Sequence, residues 1–267
     1  MAAALSQVAR FPGPKRPQIV FSDVTLDLGG KTILEKISLD VKPGEFLCIV
    51  GASGCGKTTA LRLAAGLYQP TSGAATFDGQ PMQAPRRDIA IVFQDYGKAL
   101  LPWRTAAGNV SLALEANGMA TSERAARIDG LLKKVGLPNH AGKYPAEMSG
   151  GMQQRLQIAR CLAQDPKALL MDEPFGALDA MTRQGLQDEV LSLVEASQTT
   201  VIFVTHDLEE AIYLGDRVIG LLPNPGRIGI ELKIDLPRPR DQLTTRENPE
   251  FLRLRRELFD FIKASEA

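Results

Sequence analysis

Long apolar runs are missing from this chain of 267 residues. Its best stretches, Val201–Val204 and Val218–Leu222, are strand-sized and fall well short of the roughly 18 residues that a membrane-spanning helix needs. Any membrane role is therefore expected to run through a partner. An excess of either charge is missing too: Lys+Arg and Asp+Glu number 31 each, for a formal net charge of +0. That balance argues against a bulk nucleic-acid binder, whose footprint is basic. Cysteine is scarce, and Cys48, Cys55 and Cys161 are odd in number and without metal spacing. A disulfide framework is not expected, and Cys48 and Cys161 sit in apolar runs where a buried thiol is ordinary. MAAALSQVAR followed by Pro12, Pro14 and Pro17 has too short an apolar run for a secretory signal, so residues 1–17 read as a flexible tail and the cytoplasm as the default address. No internal repeat is visible. What is present, 44% hydrophobic and 23% charged residues, is the composition of an ordinary folded protein long enough to bury a core.

The patterning predicts an α/β fold. From Ile19 to Asp40 the sequence alternates about Gly29-Gly30, the pattern of an antiparallel hairpin. Phe46–Val50 is a continuous apolar run ending in glycine, the mark of a strand buried on both faces of a parallel sheet. A helix is expected from Thr58 to Ala65, and a further small β segment over Ala74–Phe77 and Ile89–Phe93. Between Thr105 and Glu147 the spacing turns helical, with Thr121 or Ser122 as N-cap of a helix over Glu123–Val135. Strands at Ala168–Met171, Thr200–Thr205 and Arg217–Leu222 then alternate with helices at Gly151–Ala163, Thr182–Ser197 and Leu208–Leu214, which means a parallel sheet wrapped by helices. Past Pro223 the chain turns Pro- and Arg-rich and ends in an amphipathic helix over Phe251–Lys263.

Three motifs carry chemistry. Gly51, Ala52, Ser53, Gly54, Cys55, Gly56, Lys57 and Thr58, followed by Thr59, fit G-x-x-x-x-G-K-[ST] directly after a predicted strand and before a helix. In such a loop the backbone N–H groups cradle phosphate, the lysine reaches the β and γ phosphates, and the Thr58 hydroxyl is a Mg²⁺ ligand. A glycine-rich turn with a chance lysine is the bland alternative, which the strand and helix on either side disfavour. Asp172 and Glu173 end the strand Ala168–Met171, where ligands bind in open parallel sheets. Side chains alternate along a strand, so Asp172 is expected to hold the metal and Glu173 to act on water at the γ-phosphate. Alone, such a pair is more often a solvated turn. Ser149, Gly150 and Gly151 open a helix with exposed backbone N–H groups, a second anion site or merely a capped helix start. Two phosphate-type sites in one chain suggest either two nucleotides or one nucleotide shared across a dimer.

Together these motifs resemble the ATP-binding subunit of an ABC transporter. GASGCGKTT is similar to that family's Walker A, LLMDEP to its Walker B with catalytic glutamate, and SGGMQQR to its signature motif. Gln94 resembles the Q-loop, Ala177-Leu178-Asp179 the D-loop and Thr205-His206-Asp207 the H-loop. The resemblance implies a P-loop NTPase with an N-terminal antiparallel β subdomain and an inserted helical subdomain at about residues 100–160. It implies an ATPase domain over residues 18–236 and a C-terminal extension over 237–267. It also implies a head-to-tail dimer, ATP lying between one subunit's Walker A and the other's signature helix, with Mg²⁺ as cofactor. Catalysis then falls to Glu173, His206 and Lys57, metal binding to Thr58, Gln94 and Asp172, and the dimer interface to Asp179. The family usually stacks an aromatic on adenine, and the matching position here is Leu28, which implies a loss of roughly 1 kcal/mol of stacking. Cys55, inside the phosphate loop, is expected to be reachable by alkylating reagents.

QDYGKALLPWRTAAGN, MSGGMQQR and the tail LPRPRDQLTTRENPEFLRLRREL are similar to the nitrate, sulfonate and taurine group of importers. That implies membrane permease subunits as partners, an extracytoplasmic solute-binding protein indirectly, and a peripheral place on the cytoplasmic face of the membrane, with no nucleic-acid partner. Trp103 and Tyr96 are candidates for the permease contact, with core packing of Trp103 equally open. The terminal helix is expected to pack on its own domain. The rival is a soluble ABC-type ATPase acting on DNA or ribosomes. Against it stand a single cassette and the absence of a long coiled-coil insertion between Gln94 and Ser149.

Overall fold

The computed structural model describes residues 16–265 except Ala177. The expected N-terminal tail, apart from Arg16 and Pro17, thus lies outside the described residues, as does the Tyr96 side chain. Two sheets organise the chain. The first pairs β1 (Ile19–Leu28) with β2 (Lys31–Val41) across the Gly29-Gly30 turn, then adds β4 (Ser72–Phe77) and β5 (Gln80–Pro81) in the order β2-β1-β4-β5, antiparallel throughout. The second is built on β3 (Phe46–Gly51), β6 (Ile89–Val92), β7 (Ala168–Asp172), β8 (Thr200–Val204), β9 (Arg217–Leu222) and β10 (Arg227–Lys233), in the order β10-β9-β3-β8-β7-β6.

All pairings in that second sheet are parallel except β10 with β9. Two expectations change here. The segment at Ile89 belongs to the parallel sheet and not with β4, because its four apolar residues suit a strand beside buried β7. The chain past Pro223 also returns as a strand that the Pro- and Gly-rich turn at 223–226 hides: in RIGIELK the isoleucines and leucine alternate with exposed residues.

Side-chain alternation divides the core into two layers. Phe46, Cys48 and Val50 of β3, with Leu169 and Met171 of β7, face one cluster. Leu47 and Ile49, with Ala168 and Leu170, face the other, against the antiparallel sheet. Helix α1 (Lys57–Ala64) lies in the second layer, which is buried through Ala60, Leu61 and Leu63. The first layer takes α3 (Ala106–Ala116), α4 (Thr121–Lys134), α5 (Gly150–Leu162), α6 (Ala180–Ser197) and α7 (Leu208–Leu214). A four-residue helix, α2 (Tyr96–Ala99), precedes α3, and a 3₁₀ turn, Pro145–Glu147, precedes α5. Helix α4 begins at Thr121 itself, after Ala120, with no side-chain cap, so neither Thr121 nor Ser122 stands at the N-cap position.

The C-terminal segment forms α8 (Thr244–Glu247) and α9 (Pro249–Ser265). Phe251, Leu254 and Leu258 of α9 enter the first layer, so the helix packs on its own chain. Between β9 and β10, Gly226 exchanges backbone hydrogen bonds with β2: its N–H donates to Ile33 O at 2.8 Å, and Glu35 N–H donates to its carbonyl at 2.9 Å. A Cβ there would stand 2.3 Å from the Cys55 carbonyl oxygen, so glycine is needed for this approach.

Candidate functional site

At the carboxyl ends of β3, β7 and β8 a cleft of about 580 Å³ opens, the place where open parallel sheets present chemistry. Ser53, Gly54, Gly56, Lys57, Thr58 and Thr59 line one side, Gln94, Glu173 and His206 the other, and Ile33 of β2 a third edge.

The loop between β3 and α1 is shaped by glycines that no other residue can replace. Gly51 has φ +154°, and a Cβ there would meet Cys55 Sγ and Leu221 O at 2.7 Å. Gly56 has φ +101°, and a Cβ would meet Leu34 Cδ2 at 2.6 Å. Such positive φ values are strained for any residue with a side chain. The buried Lys57 curls back so that Nζ donates to Gly51 O at 2.8 Å and Ala52 O at 3.0 Å. Gly56 caps α1 without a side chain, leaving the first N–H groups of the helix uncovered by one. A lysine ammonium and a helix N-terminus together make a strongly electropositive concavity.

Across the cleft, Thr58 Oγ1 donates to Asp172 Oδ1 at 3.0 Å. Burial raises the Asp172 carboxyl above its ordinary pKa, with the Thr58 hydrogen bond opposing and the neighbouring Glu173 charge adding to the rise. Glu173 stands just past β7 at φ +46°, a left-handed conformation uncommon outside glycine. Its Oε2 is shared: Gln94 Nε2 donates to it at 3.2 Å, and His206 Nδ1 lies 3.3 Å away. Residues 79 and 33 positions from Glu173 thus converge on one carboxylate oxygen. Hydroxyl, carboxylate and amide oxygens are the donor set that suits a hard divalent cation sharing its shell with phosphates. No group of three or more His, Cys, Asp or Glu able to hold a metal occurs among the described residues, so no all-protein cage competes with that arrangement.

Other candidate residues lie elsewhere. Ser149 caps α5, accepting from Met152 N at 3.4 Å, and Gly150 and Gly151 form its first turn. None of the three lines the cleft. Asp179 caps α6, accepting from Thr182 N at 3.0 Å. Leu28 is 37% exposed and absent from the cleft wall, where the aliphatic side chain from the first sheet is Ile33. Cys55, expected within reach of reagents, is 1% exposed: its thiol turns beneath the loop into the second core layer, and burial raises its pKa. Trp103 is 72% exposed, so it does not pack in the core. The loop that carries it is fixed from inside by the fully buried Asn109, whose Oδ1 accepts from Leu101 N at 2.8 Å and whose Nδ2 donates to Arg104 O at 3.0 Å.

One buried network escaped the sequence reading. Thr205 Oγ1 donates to Glu210 Oε2 at 2.7 Å, Gln187 Nε2 donates to Glu210 Oε1 at 3.1 Å, and Asp207 caps α7 through Glu209 N and Glu210 N. Burial raises the Glu210 pKa. The carboxylate ties Thr205, the residue before His206, to Gln187 of α6.

Residues 34–176 match the ABC transporter family model. The chain is 43% identical over 255 residues to the nitrate import ATP-binding protein NrtD of Synechococcus elongatus, covering 94% of this chain and 88% of that protein. It is 44% identical over 238 residues to the bicarbonate transport ATP-binding protein CmpC of Synechocystis sp., covering 88% of this chain but 35% of that longer protein. Among solved structures, an ATP-binding cassette captured as a dimer in a post-hydrolysis state with ADP and Pi superposes with TM-score 0.72 at 34% identity, over 81% of this chain and 98% of that one. The two-sheet α/β architecture, the cleft and these relatives agree, and the chain belongs to the ABC transporter family as an ATP-hydrolysing, ATP-binding subunit.

Proposed function

We propose that the chain powers an importer for a small solute of the nitrate, sulfonate and taurine class, two copies closing on two Mg-ATP against membrane-embedded permease subunits at the cytoplasmic face. The observation that carries this reading is the separation of the two phosphate-type sites: the cleft gathers Lys57, Thr58, Gln94, Glu173 and His206, with buried Asp172 bonded behind Thr58, while the Ser149 helix start stands outside it. A second copy supplies that helix start, so that ATP is enclosed only between two chains. Residues Gly51–Thr59 hold the phosphates through backbone N–H groups, and Lys57 exchanges its loop carbonyls for the β and γ phosphates. Thr58, Asp172 and the Gln94 carbonyl oxygen, whose amide nitrogen is already engaged by Glu173, would hold Mg²⁺, which neutralises charge on the β and γ phosphates. Glu173 orients the attacking water, whose oxygen bonds to the γ-phosphorus as the bond to the ADP oxygen breaks. His206 supports the γ-phosphate from the facing strand end, and Asp179 lies at the interface beside the partner's loop.

Exposed Trp103, held out by the Asn109-braced loop, supplies aromatic area for the permease contact. Among the described residues no helix is long and apolar enough to cross a membrane, in keeping with a peripheral subunit of a larger assembly. NrtD and CmpC serve nitrate and bicarbonate, both small monovalent oxyanions, which favours that solute class. The test is to capture the tagged chain from membranes solubilised in mild detergent and identify its companions by mass spectrometry. A polytopic permease with a solute-binding protein is the expected result, and recovery with ribosomes or DNA would overturn the transport reading.

A further inference from the structure

Helix α7 follows His206 and Asp207 without a break, so whatever holds α7 also holds His206. Beside the Thr205 and Gln187 bonds to Glu210 and its packing on β3, α7 is held by the C-terminal segment at both of its ends. At the carboxyl end, where a helix leaves its last carbonyls without partners, the Arg240 guanidinium supplies donors: Nη1 to Ile212 O at 3.2 Å and to Tyr213 O, and Nη2 to Gly215 O at 2.8 Å. At the amino end, Glu209 accepts from Arg246 Nη1 at 2.7 Å and Arg255 Nη1 at 3.0 Å. Between the two, the Arg246 guanidinium lies 5.2 Å from the Tyr213 ring centroid, and Gln242 and Tyr213 both donate to Asp188 Oδ1 at 2.7 Å. Phe251 and Leu254 share the core layer with Ile212 and Leu214. A surface extension serving only as a cover needs its apolar stripe. It has no need of one guanidinium on three carbonyls or two arginines on one carboxylate at the opposite end.

We propose that residues 238–258 act as a strap that sets the position of α7 and thereby of His206, making Arg240, Arg246 and Arg255 positioning residues for ATP hydrolysis. The proposal rests on the reading of His206 as a residue of the catalytic cleft. The strap thus gives the C-terminal segment a route to the hydrolysis rate that passes through no nucleotide contact of its own.

The chain has 2 histidines, and the other, His140, belongs to the helical insert, so the ¹⁵N-labelled imidazoles of the full-length protein give a spectrum with signals from two residues only. The variants are Arg246→Ala/Arg255→Ala, which loosens the amino-terminal grip, and Glu209→Gln, which loosens it from the α7 side with the opposite change of charge. Both are expected to move the His206 signals in the same direction and leave those of His140 in place. Single-turnover ATP hydrolysis is expected to slow about tenfold with KM for ATP changed less than about twofold, and the loss is expected to vanish in a His206→Ala background. His206 signals that stay fixed, or that move in opposite directions in the two variants as a simple field effect requires, overturn the proposal. So does an equal loss of rate with and without His206. If His206→Ala alone leaves the rate unchanged, the reading of His206 falls first and the strap's catalytic role with it, a failure recognisable without any strap substitution.

Discussion

Residues 51–58 and residues 149–151 are both glycine-bearing and both open a helix, yet the structure holds them differently. The first is locked from several sides: Gly51, Gly54 and Gly56 take positive φ, Lys57 bonds back to two carbonyls, and Cys55 anchors the loop in the core. The second is an ordinary helix start with a serine cap, and a Cβ at its Gly151 would meet only the end of the Leu178 side chain, at 2.8 Å. A curved, braced loop can enclose an anion alone. A bare helix end can only add to an enclosure that something else begins. On the proposed reading the two kinds of glycine mark a receptor and a lid, the lid being brought to the receptor by a second copy.

Removing the receptor's charge should have the largest effect. Lys57→Ala is expected to lower ATP hydrolysis at least about 100-fold with the far-UV spectrum unchanged, since the ammonium is the main cation facing the phosphates; retention of most activity would return the lysine to a loop-bracing role. Ser149→Arg, placing bulk and charge at the lid, is expected to cost at least about 10-fold. Mixed with Lys57→Ala, it should regain activity, because a mixed pair contains one intact loop facing one intact helix start; a mixture as inactive as its parts would place both motifs in one chain's site. A smaller effect concerns the nucleoside. Ile33→Tyr should tighten ATP binding about fivefold by stacking, whereas Leu28→Tyr should change it less than about twofold; titration with a fluorescent ATP analogue separates the two positions.

The smallest effect is on stability. Burial raises the Glu210 pKa above the ordinary 4.5, so the folded protein holds that proton more tightly than the unfolded chain does. Stability therefore falls as pH rises through the interval between the two values. Glu210→Gln lacks that fall, and its melting temperature should gain on the wild type by about 2 °C between acid and neutral pH. A constant offset across that range would show that Glu210 carries no linked proton.

What was legible in the sequence was what repeats a local rule. Phe46–Val50 announced a strand buried on both faces, and the glycines and Lys57 beyond it announced a loop with inward-turned backbone N–H groups, where the structure has positive φ at Gly51, Gly54 and Gly56. Hidden features depended on contacts distant in sequence. Ile33 lines the cleft from a strand that is bonded on one side to β1 and on the other to Gly226, a residue far off in sequence. Cys55 turned inward because the loop's curvature, invisible in its letters, points that side chain at the core. Strand β10 was masked by Pro223 and Pro225, which signal a stop although the chain merely reverses. The Thr205, Gln187 and Glu210 network joins three elements, and no spacing rule links them.

The Gly226 bridge also bears on how selectivity arises. Because that residue bonds to Ile33 and Glu35 while leaving no room for a Cβ beside the Cys55 carbonyl, the Ile33 edge and the loop floor of the cleft are parts of one frame. Both lie in one chain, so no movement of a partner is needed to set the distance between them. On the proposed reading, one copy by itself would present the finished edge and floor to a nucleotide, and closure of the pair would be left free to drive motion.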